Sequence, residues 1–376
     1  CIMSVAETFI EEDGFGLVPR YTMTNKHKAS VQLISWGAGI QAIKVPNQSG
    51  ILGDVVLGFD DMEGYLKNRY IGSIIGRVVN RISCAKMRIE NKIYCLSPND
   101  ENGVDHFNGG FVGFDNVNWN SCIMKKHVVM SHVSPAKYEG YPGDMLTQIK
   151  YSWTDDNQLL MNIRATATQP TPVNIASNCL MNLAGHVKLL LTLPTILFNS
   201  FNSIYTTNNL PTDAIYPVDR TVFDLRLPTQ LTKRRLYIVP GGGYNQNLCI
   251  NIPSSWSYRF HARIIHPGSG RTLEVYSNHP GLQFSTPKIK EQQKEIWGKD
   301  GVRYQRHGGF ILSPQNYPDA VNISNYPPCI LYPGQVYAHD VTYKFGLLQS
   351  KCCEYKFIKK FYYLKFLHKF RRKDIE

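Results

Sequence analysis

Hydrophobic and polar positions alternate with a period of two along much of this chain. Ile149, Tyr151 and Trp153 alternate with Lys150 and Ser152, and Asp155-Asp156-Asn157 then supplies turn chemistry. Leu159, Met161, Ile163 and Ala165 resume the alternation. Successive side chains of a strand point to opposite faces, so this stretch predicts a β-hairpin with one buried side. Arg88-Ile89-Glu90 and Lys92 to Leu96, on either side of Asn91, predict a second hairpin. Leu273 and Val275 alternate with Glu274 before an Asn278-His279-Pro280-Gly281 turn. Before residue 350 no long stripe has the 3.6-residue period of a helix.

Composition agrees with this pattern. Hydrophobic residues make up 43% of the 376 residues, enough for a globular core, and 19% are charged, too few for a disordered chain. The 29 glycines and 21 prolines imply frequent chain reversal and argue against a helical protein. Short strands broken by turns over roughly 300 residues predict an all-β protein built as a large β-sandwich. No internal repeat or linker interrupts it. One domain is expected over 15–347, after an N-terminal segment 1–14 and before a basic, aromatic tail 348–376.

Charge changes the picture little. The formal net charge is +12, but the last 26 residues hold nine Lys/Arg and three acids, which is half of that excess. As a helix, the tail would present Phe357, Phe361, Leu364 and Phe370 beside lysines, a pattern compatible with an anionic membrane or nucleic acid. A frayed tail or a mistaken exon is the favoured explanation, because the segment lies outside the expected folded unit, and no nucleic-acid partner is expected. The nine cysteines show no CxxC spacing, which speaks against zinc and for a reducing compartment. The start, Cys-Ile-Met-Ser, has no signal-peptide pattern and leaves Met3 as a candidate initiator. The longest apolar run, Val187 to Phe198, contains Lys188 and Pro194 and is too short to span a bilayer. A cytoplasmic location follows, with the triplets beginning at Asn47 and Asn322 taken as coincidental glycosylation signals.

Several blocks then carry a family resemblance. Gly76-Arg77-Val78-Val79-Asn80-Arg81-Ile82 comes first, followed by Asn108-Gly109-Gly110 with Gly113-Phe114-Asp115 and Trp119. Pro172-Val173-Asn174, Asn182-Leu183-Ala184-Gly185 and Phe223-Asp224-Leu225-Arg226 come next. Gly270-Arg271 with Leu273 to Tyr276, Pro280-Gly281 with Gln283-Phe284, and Gln315 to Asn322 complete the order. Together they resemble the galactose mutarotase (aldose 1-epimerase) family. The resemblance implies a β-supersandwich, a monomer or loose dimer, no metal, no cofactor, and an aldose such as galactose or glucose as the small-molecule partner.

Mutarotation interconverts the anomers of an aldose. A base takes the proton of the C1 hydroxyl, an acid protonates the ring oxygen, and the opened chain recloses on the other face. Both groups must titrate near neutral pH within hydrogen-bond reach. The resemblance implies a Glu base, a His acid, and a second His and an Asp that hold the sugar. All four positions differ here. Ser313 stands at the base position in Leu312-Ser313-Pro314-Gln315-Asn316, and Asn178 at the acid position before Asn182-Leu183-Ala184-Gly185. Asn108 takes the place of the sugar-holding His, and Asn245, in Gly243-Tyr244-Asn245-Gln246-Asn247, that of the Asp. An amide donates a hydrogen bond but delivers no proton at neutral pH.

The expected pocket therefore comprises Asn80, Arg81, Asn108, Asn178, Asn245, Gln283 and Ser313, with Trp119 or Tyr244 as candidate apolar walls. His106 is a candidate substitute acid–base group, because an extended segment would place it on the same face as Asn108. His186 is expected in a loop, Asp319 in support of a turn, and Glu291 and Glu295 in a separate charged loop. Duller roles stay open: an ion pair for Arg81, a tight turn for Gly109-Gly110, a satisfied strand position for Gln283. Three functions survive. The first is a catalytically impaired, sugar-binding pseudoenzyme. The second is an active mutarotase with a rearranged acid–base pair. The third is a scaffold whose pocket has drifted.

Overall fold

The computed structural model describes residues 4–12, 16–187, 195–198, 200–207, 210–250, 256–287 and 296–348. Glu291, Glu295 and the tail beyond Leu348 lie outside the described residues. Within them the protein is built of antiparallel sheets, and its two α-helices, Met62–Lys67 and Lys233–Ile238, are six residues each. No described helix is long and apolar enough to cross a membrane.

The predicted hairpin forms between Met145–Trp153 and Gln158–Ala167, with Ile149 opposite Ile163 and Tyr151 opposite Met161. Asn157 closes its turn at φ 56°, a conformation asparagine tolerates better than most residues. The second hairpin pairs Lys86–Ile89 with Lys92–Cys95, and the Leu273–Val275 alternation lies within the strand Arg271–Ser277.

The second hairpin forms a two-stranded sheet of its own, while the first hairpin and the strand Arg271–Ser277 join a nine-stranded sheet. Its order is Asn120–Met124, His127–Ser134, Met145–Trp153, Gln158–Ala167, Tyr337–Leu347, Arg271–Ser277, Arg259–Ile265, Thr195–Phe198, Thr229–Gln230. A five-stranded meander runs from Ser4–Glu12 through Leu52–Asp54, so the Ser4–Glu12 segment pairs with Gly16–Thr24. A six-stranded sheet places Leu180–Met181, Phe310–Gln315, Gly281–Ser285, Asn245–Ile250, Ser200–Thr207 and Leu210–Pro217 side by side.

One hydrophobic core joins all three sheets. Val31 and Leu33 come from the meander, Ile149, Met161 and Val341 from the nine-stranded sheet, and Leu282, Phe284, Phe310 and Leu312 from the six-stranded sheet. Burying each such side chain is worth roughly 1.5–3 kcal/mol. Buried donors tie the layers where apolar contact alone leaves register free: Tyr343 Oη donates to the Leu312 carbonyl at 2.8 Å, and Trp153 Nε1 to the Ala29 carbonyl at 3.0 Å. Lys299 forms a buried ion pair with Asp54 and also donates to the Gln41 carbonyl at 2.8 Å, fixing the 299 loop against the meander.

Three fully buried histidines, His261, His279 and His339, lie together inside the sandwich, with the rings of His279 and His339 3.6 Å apart. His339 Nδ1 donates to the Ile175 carbonyl and its Nε2 accepts from Ser277, so the ring sits as the neutral tautomer. Burial lowers His339 to about 4 and holds His261 and His279 well below the ordinary imidazole range. The unfolded chain therefore binds more protons than the native one below the ordinary histidine pKa of about 6.5. Stability is intact above that pH and falls as pH drops through the window down to about 4. His339 alone accounts for a loss on the order of 3 kcal/mol. Melting curves at pH 7.5 and 5.0 are expected to show a lower Tm in acid. His279→Leu, which removes a ring whose two nitrogens are both unpaired, is expected to shrink that difference; an unchanged difference would remove His279 from the acid response.

Candidate functional site

The six-stranded sheet carries the site because its two faces are chemically opposite. In Phe310–Gln315, Phe310 and Leu312 enter the core, which turns Ile311, Ser313 and Gln315 to the other side. Directly opposed residues of an antiparallel pair share a face. Ser313 is opposite Gln283, and Gln283 is opposite Asn247. Leu180 is opposite Ile311, where this pairing ends, and Asn178, two residues earlier, bonds through its backbone to Ser73 and Gly72 instead. The result is a polar row across the sheet: Asn247, Gln283, Ser313. Asn245 stands one pleat from Asn247 on the same face and accepts from Gln283 Nε2 at 2.9 Å.

The Gly76–Ile82 segment brings two more residues to this face. Its first arginine, Arg77, is buried and donates to Ser134 Oγ and the carbonyls of Ser134, Pro135 and Pro142, and to Thr171 Oγ1. It anchors the loop and does not reach the row. Asn80 follows at φ 70° and donates through Nδ2 to Gln283 Oε1 at 3.3 Å. Asn108, at φ 49°, accepts from the Asn80 backbone N–H at 2.8 Å, while its own N–H donates to the Asn80 carbonyl at 2.9 Å. Arg81 lies 4.8 Å over the Phe107 ring and pairs with Asp100 at 3.4 Å. Burial works against ionising Asp100, but backbone N–H groups of Asp105 and Val104 outweigh it and hold its carboxyl below the usual range.

Asn80, Asn108, Asn245 and Gln283 are thus one hydrogen-bonded chain, and Ser313 lies beside Gln283 in the row. Asn178 is held from the far side, its Nδ2 donating to the Tyr70 carbonyl at 3.0 Å. Gly109 behind Asn108 has φ 88°, and an added Cβ would come within 1.8 Å of the Gly76 carbonyl oxygen, so the Gly-Gly pair does more than reverse the chain. A cavity of about 480 Å³ is lined by Leu57, Leu66, Tyr70, Leu180, Tyr304 and Gly309, and none of the row residues lines it.

Other expected residues stand elsewhere. His106 pairs with Ile82 in the sheet, but Asn108 leaves extended conformation, so the alternation that would align them is broken. The His106 ring is fully buried, Nδ1 donating to the Ser97 carbonyl at 2.8 Å and Nε2 accepting from Tyr141 Oη at 2.7 Å. Burial lowers its pKa. Trp119 donates to the Phe114 carbonyl within the core, and Tyr244 is buried with its hydroxyl on the Val222 carbonyl, so neither forms a wall of the row. Phe107 and Tyr70, packed edge to face at 5.8 Å, are the aromatic residues near Arg81 and Asn178. His186 faces Asp300 at 3.0 Å, and Asp319 accepts from Ser83 and Asn322 at a turn beneath Arg81. Asn247 was findable from its position two residues after Asn245 in an alternating strand; Tyr70 carries no such signal. No described group of three or more His, Cys, Asp or Glu side chains is placed to hold a metal ion.

A large antiparallel β-sandwich of this kind is the fold of the aldose epimerases that it superposes on. The family model described as aldose 1-epimerase matches residues 19–344, and the chain belongs to that family. It is 39% identical to galactose mutarotase of Rattus norvegicus over 351 residues, covering 92% of this chain and 100% of that protein. It is 39% identical to galactose mutarotase of Homo sapiens over 319 residues, covering 84% and 91%. Among solved structures, the GalM/aldose epimerase homologue from C. elegans superposes with TM-score 0.79 at 25% identity, covering 92% of this chain and 100% of that one. Galactose 1-epimerase from Lactobacillus acidophilus does so with TM-score 0.76 at 18% identity, over 92% and 100%, a likeness of fold.

The Asn80–Asn108 bond makes a stability test. Asn108→Ala removes the acceptor of the Asn80 N–H and leaves a Cβ residue at positive φ, and is expected to cost about 2 kcal/mol by denaturant titration. Asn108→Gly, free of the backbone strain, is expected to cost less.

Proposed function

We propose that this protein binds an aldose-type saccharide at the polar row and interconverts its anomers weakly or not at all. The observation that carries the reading is the row itself: Asn247, Gln283 and Ser313 stand side by side, and none of them gives or takes a proton near neutral pH. Asn178 and Ser313 occupy the positions where the family resemblance implies the acid and the base. Both carry chemistry that binds rather than titrates. Asn80, Arg81, Asn108, Asn245 and Gln283 supply further hydrogen bonds to hydroxyls in this reading. No metal or cofactor takes part in it.

The competing reading is an active mutarotase with a rearranged acid–base pair, for which His106 is the candidate. Its two engaged nitrogens and complete burial weigh against it. A drifted scaffold, the third reading, binds no sugar at all.

A coupled mutarotase assay with α-D-galactose and α-D-glucose separates the first two. The rate is expected to match the spontaneous one. Ser313→Glu combined with Asn178→His is expected to raise it by roughly 10²-fold or more, the usual worth of general acid or base catalysis. Activity in the unaltered chain that disappears in His106→Ala would instead establish the rearranged pair. Calorimetry with millimolar hexose is expected to give binding heat; its absence across saccharides would leave the scaffold.

A further inference from the structure

Asn108 and Asn178 lie on separate segments of the chain, and one short stretch, residues 69–73, holds both. It takes Asn178 by three bonds. Asn178 Nδ2 donates to the Tyr70 carbonyl at 3.0 Å, the Gly72 N–H to the Asn178 carbonyl at 3.0 Å, and the Asn178 N–H to the Ser73 carbonyl at 2.9 Å. The backbone of Asn178 and the plane of its amide are therefore fixed together.

The same stretch grips the turn that carries Asn108, through the side chain of Arg69. Arg69 Nε and Nη2 donate to the two carboxylate oxygens of Asp115 at 3.0 and 3.1 Å. Its Nη1 donates to the Phe111 carbonyl at 2.7 Å, and Nη2 also reaches the Gly110 carbonyl at 3.4 Å. The Asp115 side chain is 1% exposed; burial pushes its carboxyl up, and Arg69 draws it down. A planar guanidinium can meet a carboxylate and two carbonyls at once, where an ammonium cannot. The Gly110 N–H donates to the Phe107 carbonyl at 3.1 Å, which closes a turn with Asn108 and Gly109 at positive φ inside it. Both ends of that turn meet the stretch: Gly110 bonds to Arg69, and Phe107 packs edge to face on Tyr70 at 5.8 Å. The Arg69 guanidinium lies over the Tyr70 ring at 4.7 Å, so it also braces the residue whose carbonyl holds the Asn178 amide.

We propose, resting on the saccharide-binding reading above for its consequence in binding, that Arg69 is a positioning residue of the site. Its fork on Asp115 and on the Gly110 and Phe111 carbonyls keeps Asn108 and Asn178 in one mutual geometry. Arg69 acts through Tyr70 and the turn at 107–110 and bonds to neither amide itself.

The test is hydrogen–deuterium exchange of the full chain without saccharide, on two variants. Arg69→Lys keeps a cation beside Asp115 and loses the fork. Arg69→Met combined with Asp115→Asn loses the fork and leaves no stranded carboxylate. In both, exchange is expected to rise about tenfold at Asn80, Asn108 and Gly110 and, in parallel, at Gly72 and Asn178, the equivalent of one net hydrogen bond. The hairpin at 145–167 is expected to keep its rates. Faster exchange confined to residues 107–115 would make Arg69 a local brace and overturn the proposal. No change at any of these amides, or a rise in both variants that includes the hairpin, would overturn it equally. Calorimetry with D-galactose and D-glucose is expected to show affinity about tenfold weaker in both variants. Affinity equal to that of the unaltered chain would overturn the proposal. No binding heat in the unaltered chain would sink the saccharide-binding reading alone, and the exchange rates would then decide whether Arg69 places the two amides.

Discussion

Arg77 is a buried guanidinium whose five N–H groups all meet neutral oxygens, supplied by Ser134, Pro135, Pro142 and Thr171. Taking that charge out of water is costly, and burial lowers its pKa to about 10. Removing any of these acceptors would strand a buried donor on a cation, so the loops that supply them and the Gly76–Ile82 segment hold one mutual geometry. The left-handed Asn80 and its partner Asn108 inherit their positions from that anchor, and Asn80 reaches Gln283 on the six-stranded sheet only because the anchor holds it there.

The sheet supplies the second half of the arrangement. Its core face is apolar and its other face is polar at every position that meets the row, so pleating alone sorts Leu312 from Ser313 and Leu282 from Gln283. A frame of this kind is indifferent to whether its polar residues titrate. Glu or Ser at 313, or His or Asn at 178, leaves the register intact, because the backbone bonds and the core residues set it. The chemistry of such a site is separable from its fold.

Much was legible from the residues. The hairpins at 145–167 and 86–95 follow from alternation and turn chemistry, which are local. The order of the motif blocks named the family and the candidate residues Asn80, Asn108, Asn178, Asn245, Gln283 and Ser313. Where residue reading went astray, the cause was a local break or a long-range contact. His106 was aligned with Asn108 on the premise of extended backbone, and the left-handed φ of Asn108 breaks that premise. Trp119 and Tyr244 were expected near the sugar because aromatic residues often are, but their polar atoms bond to core carbonyls. Phe107 and Tyr70 are instead the aromatic residues beside Arg81 and Asn178, and nothing in their local sequence distinguishes them.

By itself, then, the sequence determined which faces of which strands are apolar, where the chain turns, and which family its motif blocks resemble. Those properties depend on neighbours within a few residues. The tertiary structure decided which polar residues meet. Asn80 and Gln283 are 203 residues apart along the chain, and the row forms only when strands distant in sequence align in register. It also decided that His106 is locked, since Ser97 and Tyr141 are brought to its two ring nitrogens only by folding.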